Sequence, residues 1–261
     1  MVILRCSRKK VFRELRPVKA CVATVFKKCN RQPMSEGLRE FLRSASRGGG
    51  KNFRTIGGFP AADGQHVAAG RVYRSGHLGE LAGHIGAELG SLDVHTIVTF
   101  QTRKEIDILG DSPPALLPAA AWEHIPIGDR WFEDDWLVED WASQGDFYLA
   151  MVRDHASHWA RFLRVFTREA SFPVLYHCTA GRDRTGVATV LLLESLRVSR
   201  SVIVADYLLS NEVFQENVQE ASVLDPLFGA IDERGGIDRF LGEIGLVHGE
   251  IEAIRSNLLV R

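Results

Sequence analysis

The sequence predicts an α/β domain in which a central, largely parallel sheet is flanked by helices. Three observations carry that reading. Strand-like apolar runs alternate with segments of helical period along most of the chain. His95-Thr-Ile-Val-Thr-Phe100 is rich in β-branched residues, the composition of a buried parallel strand. Pro173 to Val187 runs from a short apolar stretch, Val174-Leu175-Tyr176, through a tight polar loop into the long apolar stretch Val187 to Leu193. A strand, a turn and a buried helix therefore follow one another without interruption.

The elements can be read in order. Residues 1–33 carry ten Lys and Arg against the single acid Glu14 and lack the continuous apolar core of a secretory signal. A transit peptide and a membrane-surface arm fit that composition. A disordered tail, or sequence upstream of a start at Met34, fits it more plainly. Ser35 to Ser46 is expected to form a short helix capped by Ser35, and Arg47-Gly-Gly-Gly50 reads as a linker. Residues 1–50 are thus expected to be a basic, partly disordered extension, and 51–261 the folded domain.

Asn52 to Ser75 reads as short strands and turns, with Val72-Tyr73 a strand. Leu81, Ile85 and Leu89 are spaced by fours, which predicts a helix over Leu78 to Leu89. A Pro/Ala loop fills residues 111–121, and Trp122 to Ile127 is a second short strand. Residues 128–145 interleave Asp129, Glu133, Asp134, Asp135, Glu139 and Asp140 with Trp131, Phe132, Trp136 and Trp141. That insertion reads either as a lid over a site or as a surface helix with an ordinary apolar stripe. Asp146 to Arg168 is expected as one strong helix, Gly186 to Leu196 as a buried helix, Ser201 to Asn211 as another, and the C-terminal part as short helices.

The chemistry-bearing stretch is His177-Cys-Thr-Ala-Gly-Arg-Asp-Arg-Thr-Gly186. It places a cysteine where a strand ends and Arg184 six positions later, where a helix begins. Amides of residues 179–184 and the positive end of the new helix form a cradle for phosphate. Thr179, Ala180, Gly181, Arg182, Thr185 and Gly186 belong to that cradle. Gly181 permits the turn, and Arg184 offers a fork matched to two phosphate oxygens. The same positive field favours the thiolate of Cys178, the nucleophilic form. A buried structural cysteine is the plainer alternative. The Cys–Gly–Arg spacing ahead of Thr185-Gly186 argues against it.

Composition sets the outer bounds. The 261 residues are 45% hydrophobic and 25% charged with a net charge of −1, ordinary for a globular chain and no reason to expect a nucleic-acid partner. No run approaches the roughly 18 apolar residues of a membrane span. Cys6, Cys21, Cys29 and Cys178 show no CxxC spacing, so neither a zinc site nor a disulfide framework is expected. A cytoplasmic location is expected, with secretion and organelle targeting left open.

His177-Cys178 through Arg184 resembles the Cys-x5-Arg signature of the cysteine-based tyrosine phosphatase superfamily. The longer string is similar to a branch of bacterial and fungal tyrosine phosphatases, several of which also act on phosphoinositides. Asn52-Phe-Arg-Thr-Ile-Gly-Gly58, Gly70-Arg-Val-Tyr-Arg-Ser-Gly76 and Asp206-Tyr-Leu-Leu-Ser-Asn211 resemble segments that the branch carries in the same order. The resemblance implies a tyrosine-phosphatase-like fold. It also implies phosphomonoester hydrolysis without metal or other cofactor, and a phosphorylated protein or phosphoinositide as substrate.

It further implies that Arg74 and Ser75 lie close to the loop, and that the position of Asp183 has a catalytic role. Arg74 then either contacts substrate or pins the loop. Asp183 is the first choice of general acid, with Asp129, Asp134 and Asp135 as competitors. Thr185 is expected to serve the thiolate or the hydrolytic water, and His177 to fix the loop.

Two departures stand out. Thr99-Phe100-Gln101 replaces the Asp-Leu-Arg usual in the branch, which puts any acid on that strand in doubt. Arg182 replaces the usual Lys, keeping the charge but not the shape. Other readings are a phosphate-binding pseudophosphatase, and a thiol-based arsenate reductase or sulfurtransferase.

Overall fold

The computed structural model describes residues 52–78, 90–109, 117–128, 142–214 and 220–261. The expected basic extension, most of the helix over 78–89 and most of the acidic and aromatic segment at 128–145 lie outside them, as do Cys6, Cys21 and Cys29.

Five strands form the main sheet: β1 (Arg54–Thr55), β3 (Val72–Ser75), β6 (Val174–His177), β4 (Thr96–Thr99) and β5 (Ala121–His124), in that spatial order. β1 runs antiparallel at one edge, and the remaining pairs are parallel. The sheet is therefore largely parallel, as the alternation of elements predicts. β6 is central, with Ser75 of β3 and Thr99 of β4 both opposite His177. Three strand ends thus open together at one edge, the position where such sheets bind ligands.

Burial on both faces explains the apolar strands. Alternate residues of a strand point to opposite sides. Val174 and Tyr176 of β6 join Val72, Val98, Phe100, Trp159 and Phe162 on one side. Leu175 joins Phe53, Tyr73, Leu92 and Ile97 on the other. The helices are α1 (Arg103–Leu109), α2 (Gln144–Asp154), α3 (Ala156–Val165), α4 (Asp183–Ser195), α5 (Arg200–Phe214), α6 (Asp225–Glu233), α7 (Ile237–Glu243) and α8 (His248–Leu258). Every residue of α4 after Asp183 is buried, which accounts for its lack of a polar face.

The structure corrects two sequence expectations. Asp146 to Arg168 is not one helix, because the chain breaks at His155 (φ −117°, ψ 29°) between α2 and α3. The break carries Trp159 into the core, where its indole N–H donates to the Met151 carbonyl at 3.1 Å, and His155 Nε2 accepts the Gly128 N–H at 3.2 Å. The chain also ends in a strand rather than in helices alone. β7 (Leu259–Val260) pairs antiparallel with β2 (His66–Val67), a contact between segments too far apart for any local pattern to mark.

Phe162 lies within 5.1–5.2 Å, centroid to centroid, of the Phe100, Phe166 and Tyr176 rings. Phe162→Ala should lower unfolding stability by about 3–5 kcal/mol, read from the urea midpoint at unchanged slope.

Candidate active site

Cys178 follows β6 directly and is 2% exposed. Its Sγ accepts the Gly181 N–H at 3.2 Å, so the loop curls over the sulfur. Gly181 has φ +66°, and a Cβ there would lie 2.5 Å from the backbone of Ser75 and Gly76. Only glycine fits that turn and that contact. Ser75 is buried and lies directly beneath the loop, while the His77 N–H donates to the Thr179 carbonyl at 2.8 Å. His177 is buried, with Nδ1 3.2 Å from the Cys178 carbonyl.

Between the two roles open to Arg74, substrate contact and pinning, the geometry is that of pinning. Arg74 is fully buried and donates to the Gly181 carbonyl at 2.7 Å, to Thr189 at 2.8 Å and to Asp206 at 2.6 Å. Arg54 meets the other side of the Asp206 carboxylate at 2.7 Å. Asn52 (φ +67°) donates to the Gly181 carbonyl at 2.7 Å and accepts a short hydrogen bond from Arg54. Two guanidiniums against one carboxylate leave a net positive charge behind the loop. Burial, and then the nearby Arg54, push the Arg74 guanidinium down from its ordinary value. Burial acts against the Asp206 charge, but the two arginines outweigh it and hold its carboxyl below the usual range.

Arg184 lies on the first turn of α4 and is 8% exposed. It makes a two-pronged ion pair with Glu105 of α1, at 2.5 and 2.7 Å, and donates to the carbonyls of Phe100 and Ile127. Glu105 also accepts the Thr179 hydroxyl at 2.6 Å and the Thr102 N–H at 2.8 Å. Burial opposes its charge, yet the Arg184 fork and these donors bring its carboxyl down to about 2. Glu105, like Gln144, Tyr148 and Tyr207, is a residue that sequence reasoning missed. It follows Gln101-Thr-Arg-Lys in a helix with no local mark of its partner, which is 79 residues away. The Thr99-Phe100-Gln101 departure supports the loop instead of supplying an acid: the Gln101 amide reaches the Thr179 hydroxyl at 3.4 Å.

Asp183 opens α4. Its Oδ1 accepts from Tyr148 O–H at 2.6 Å and from the Gln144 amide at 2.9 Å, and its Oδ2 from Arg182 Nε at 3.3 Å. The Arg182 guanidinium also faces the Phe214 ring at 5.8 Å. Ala180 sits half-buried at the loop's outer bend. The Thr185 hydroxyl is fully buried and has no hydrogen-bond partner among the described residues; Sγ takes its hydrogen bond from Gly181 instead. At Gly186 a Cβ would come within 3.3 Å of the Tyr207 ring. Asp129, Asp134 and Asp135 lie outside the described residues.

A strand-end thiol in a loop closed by an arginine at a helix start is the arrangement of cysteine-dependent phosphatases. The model of the tyrosine phosphatase family matches residues 46–260, and the chain belongs to that family. It is 31% identical over 170 residues to a Cupriavidus necator protein whose name assigns it to the tyrosine-protein phosphatases, an alignment covering 62% of this chain and 60% of that one. It is 58% identical over 43 residues to the triple specificity protein phosphatase PtpB of Mycobacterium tuberculosis, 16% of each chain. Identity to a tyrosine-protein phosphatase of Nostoc commune is 45% over 68 residues, 26% of this chain and 23% of that one. The match thus spans about three fifths of the first relative and smaller parts of the others. No helix among the described residues is long and apolar enough to cross a membrane.

The depressed Glu105 carboxyl has a consequence for acid stability. A carboxyl at about 2 when folded, against 4.5 ordinarily, adds stability that is complete above pH 4.5 and drains away as pH falls toward 2. Glu105→Gln should be less stable at neutral pH and should lose part of that acid dependence, measured by urea unfolding from pH 7 to pH 3.

Proposed function

We propose that this protein hydrolyses phosphomonoesters through a cysteinyl-phosphate intermediate, with phosphotyrosine proteins as the first substrate class and phosphoinositides as the second. The observation that carries the reading is the placement of Cys178 Sγ inside a loop whose far end is the Arg184 guanidinium. Cys178 attacks phosphorus and the ester P–O bond breaks. Asp183 gives its proton to the leaving oxygen. Water then attacks phosphorus, the P–S bond breaks, and Asp183 takes up a proton from that water. Arg184 and the loop amides hold the equatorial oxygens throughout. The net positive charge of the Arg54–Asp206–Arg74 group supports the same anion from behind.

Arg182 supports the wider substrate class, because a second cation beside the loop suits a doubly phosphorylated head group. The name of the mycobacterial relative, a triple specificity phosphatase, points the same way. A panel of phosphotyrosine, phosphoserine and phosphoinositide compounds tests this directly. Cys178→Ser should abolish turnover while phosphate still binds, and EDTA should leave the wild type active. Retained activity in Cys178→Ser would overturn the mechanism. Turnover of arsenate or thiosulfate in place of p-nitrophenyl phosphate would mark a reductase or a sulfurtransferase, and phosphate binding without turnover a pseudophosphatase.

Asp183→Asn should slow alkyl esters by about 10²–10⁴-fold, the usual worth of general acid assistance. p-Nitrophenyl phosphate, whose leaving group needs little protonation, should lose much less. Equal losses would make Asp183 a loop-shaping residue and move the search to Asp129, Asp134 and Asp135.

A further inference from the structure

We propose that Tyr148 and Gln144 are positioning residues for Asp183: from one face of α2 they occupy Oδ1, so that the proton delivered to the leaving group resides on Oδ2. This rests on the reading of Asp183 as the general acid.

The two residues are four apart on α2, and so share one face of the helix. The Gln144 amide has two N–H groups, and it donates one to Asp183 Oδ1 at 2.9 Å and one to the Tyr148 oxygen at 3.1 Å. The Tyr148 O–H donates to the same Oδ1 at 2.6 Å. A phenol has a single proton. Once Tyr148 gives it to Asp183, the 3.0 Å contact between Tyr148 and Tyr207 requires Tyr207 to be the donor. The hydrogen bonds therefore run one way, from Tyr207 on α5 through Tyr148 to Asp183, and each polarises the next. Burial first, and then the Asp183 charge, raise the Tyr148 phenol well above its ordinary value, so it remains a donor. Burial likewise raises Tyr207.

With two donors on Oδ1, a proton placed there would meet both head-on. Oδ2, which accepts Arg182 Nε at the longer distance of 3.3 Å, is the oxygen better able to carry it.

The parts that hold this arrangement are tightly packed. A Cβ at Gly145 would meet Pro226 and the Val223 carbonyl at 2.7–2.8 Å, so the start of α2 lies directly on α6. Gly186, three residues after Asp183, lets the Tyr207 ring approach α4. Tyr148 and Tyr207 meet edge to face, with centroids 6.2 Å apart. Gln144 and Tyr148 thus give Asp183 one orientation, which a carboxylate at a helix start would otherwise lack.

The test is a double-mutant cycle read with two esters, p-nitrophenyl phosphate and an alkyl phosphate. Tyr148→Phe keeps the ring and removes the donor. It should slow the alkyl ester roughly tenfold more than the nitrophenyl ester, the size of one hydrogen bond to a charged group. The inhibition constant of inorganic phosphate should stay unchanged. In the Asp183→Asn background the same substitution should cost nothing further on the alkyl ester, because a residue acting through Asp183 has nothing left to position. An equal loss in both backgrounds, or an equal loss on both esters, would overturn the proposal and make Tyr148 a core residue only. Should Tyr148→Phe melt early, Gln144→Ala, half-exposed at the start of α2, carries the same cycle with the same outcomes. If Asp183→Asn alone slows both esters equally, the acid assignment fails and the proposal falls with it. If that variant behaves as an acid variant while Tyr148→Phe and Gln144→Ala show no leaving-group dependence, the positioning proposal alone fails.

Discussion

The hydrogen bond from Arg74 to the Gly181 carbonyl is the contact on which the rest of the site depends. Arg74 sits on β3 opposite Tyr176 of β6, one strand away from the segment that ends at Cys178. A guanidinium at that register can reach under the loop, and nothing shorter would. Burying it completely carries a large desolvation cost. Asp206, Thr189 and the Gly181 carbonyl offset that cost together, so the loop is one of the groups that make the buried charge tolerable. Loop conformation and buried ion pair are therefore coupled through this contact.

The same logic is repeated at each chemical group. Arg184 is oriented by Glu105 from α1, Asp183 by Gln144 and Tyr148 from α2, and the loop backbone by Asn52 ahead of β1. Four guanidiniums, those of Arg54, Arg74, Arg182 and Arg184, meet the carboxylates of Glu105, Asp183 and Asp206 around one short loop. The balance is positive, which suits a dianionic phosphate. The charges are also tied down pairwise, so the field at the loop is set before a ligand arrives. The stretch matched by the family model, residues 46–260, contains this loop and every residue that holds it.

Much of the fold was legible because its signals are local. The strand–loop–helix unit around Cys178, the buried character of α4 and the parallel strand at Thr96–Thr99 follow from runs of apolar residues. The break at His155 was not legible, because helical spacing continues straight through it. What interrupts the helix is a demand from outside it, the burial of Trp159 and the Gly128 N–H held by His155. The closing strand Leu259–Val260 was hidden for the same reason: its partner is His66–Val67, at the other end of the described chain.

By itself the sequence determined which residues are proposed to carry the chemistry. Cys178, Gly181, Asp183 and Arg184 lie within seven positions, and backbone geometry alone brings residues that close together into one loop. Only the tertiary structure decided what holds them. Asn52, Arg74, Glu105, Gln144, Tyr148, Asp206 and Tyr207 come from five separate segments, and a polar side chain chosen to satisfy a distant partner leaves no periodic trace. The physical reason is that local patterns record the burial of apolar surface, which is non-directional. A buried hydrogen bond instead depends on where one particular donor and one particular acceptor meet, and that is settled only when the whole chain has folded.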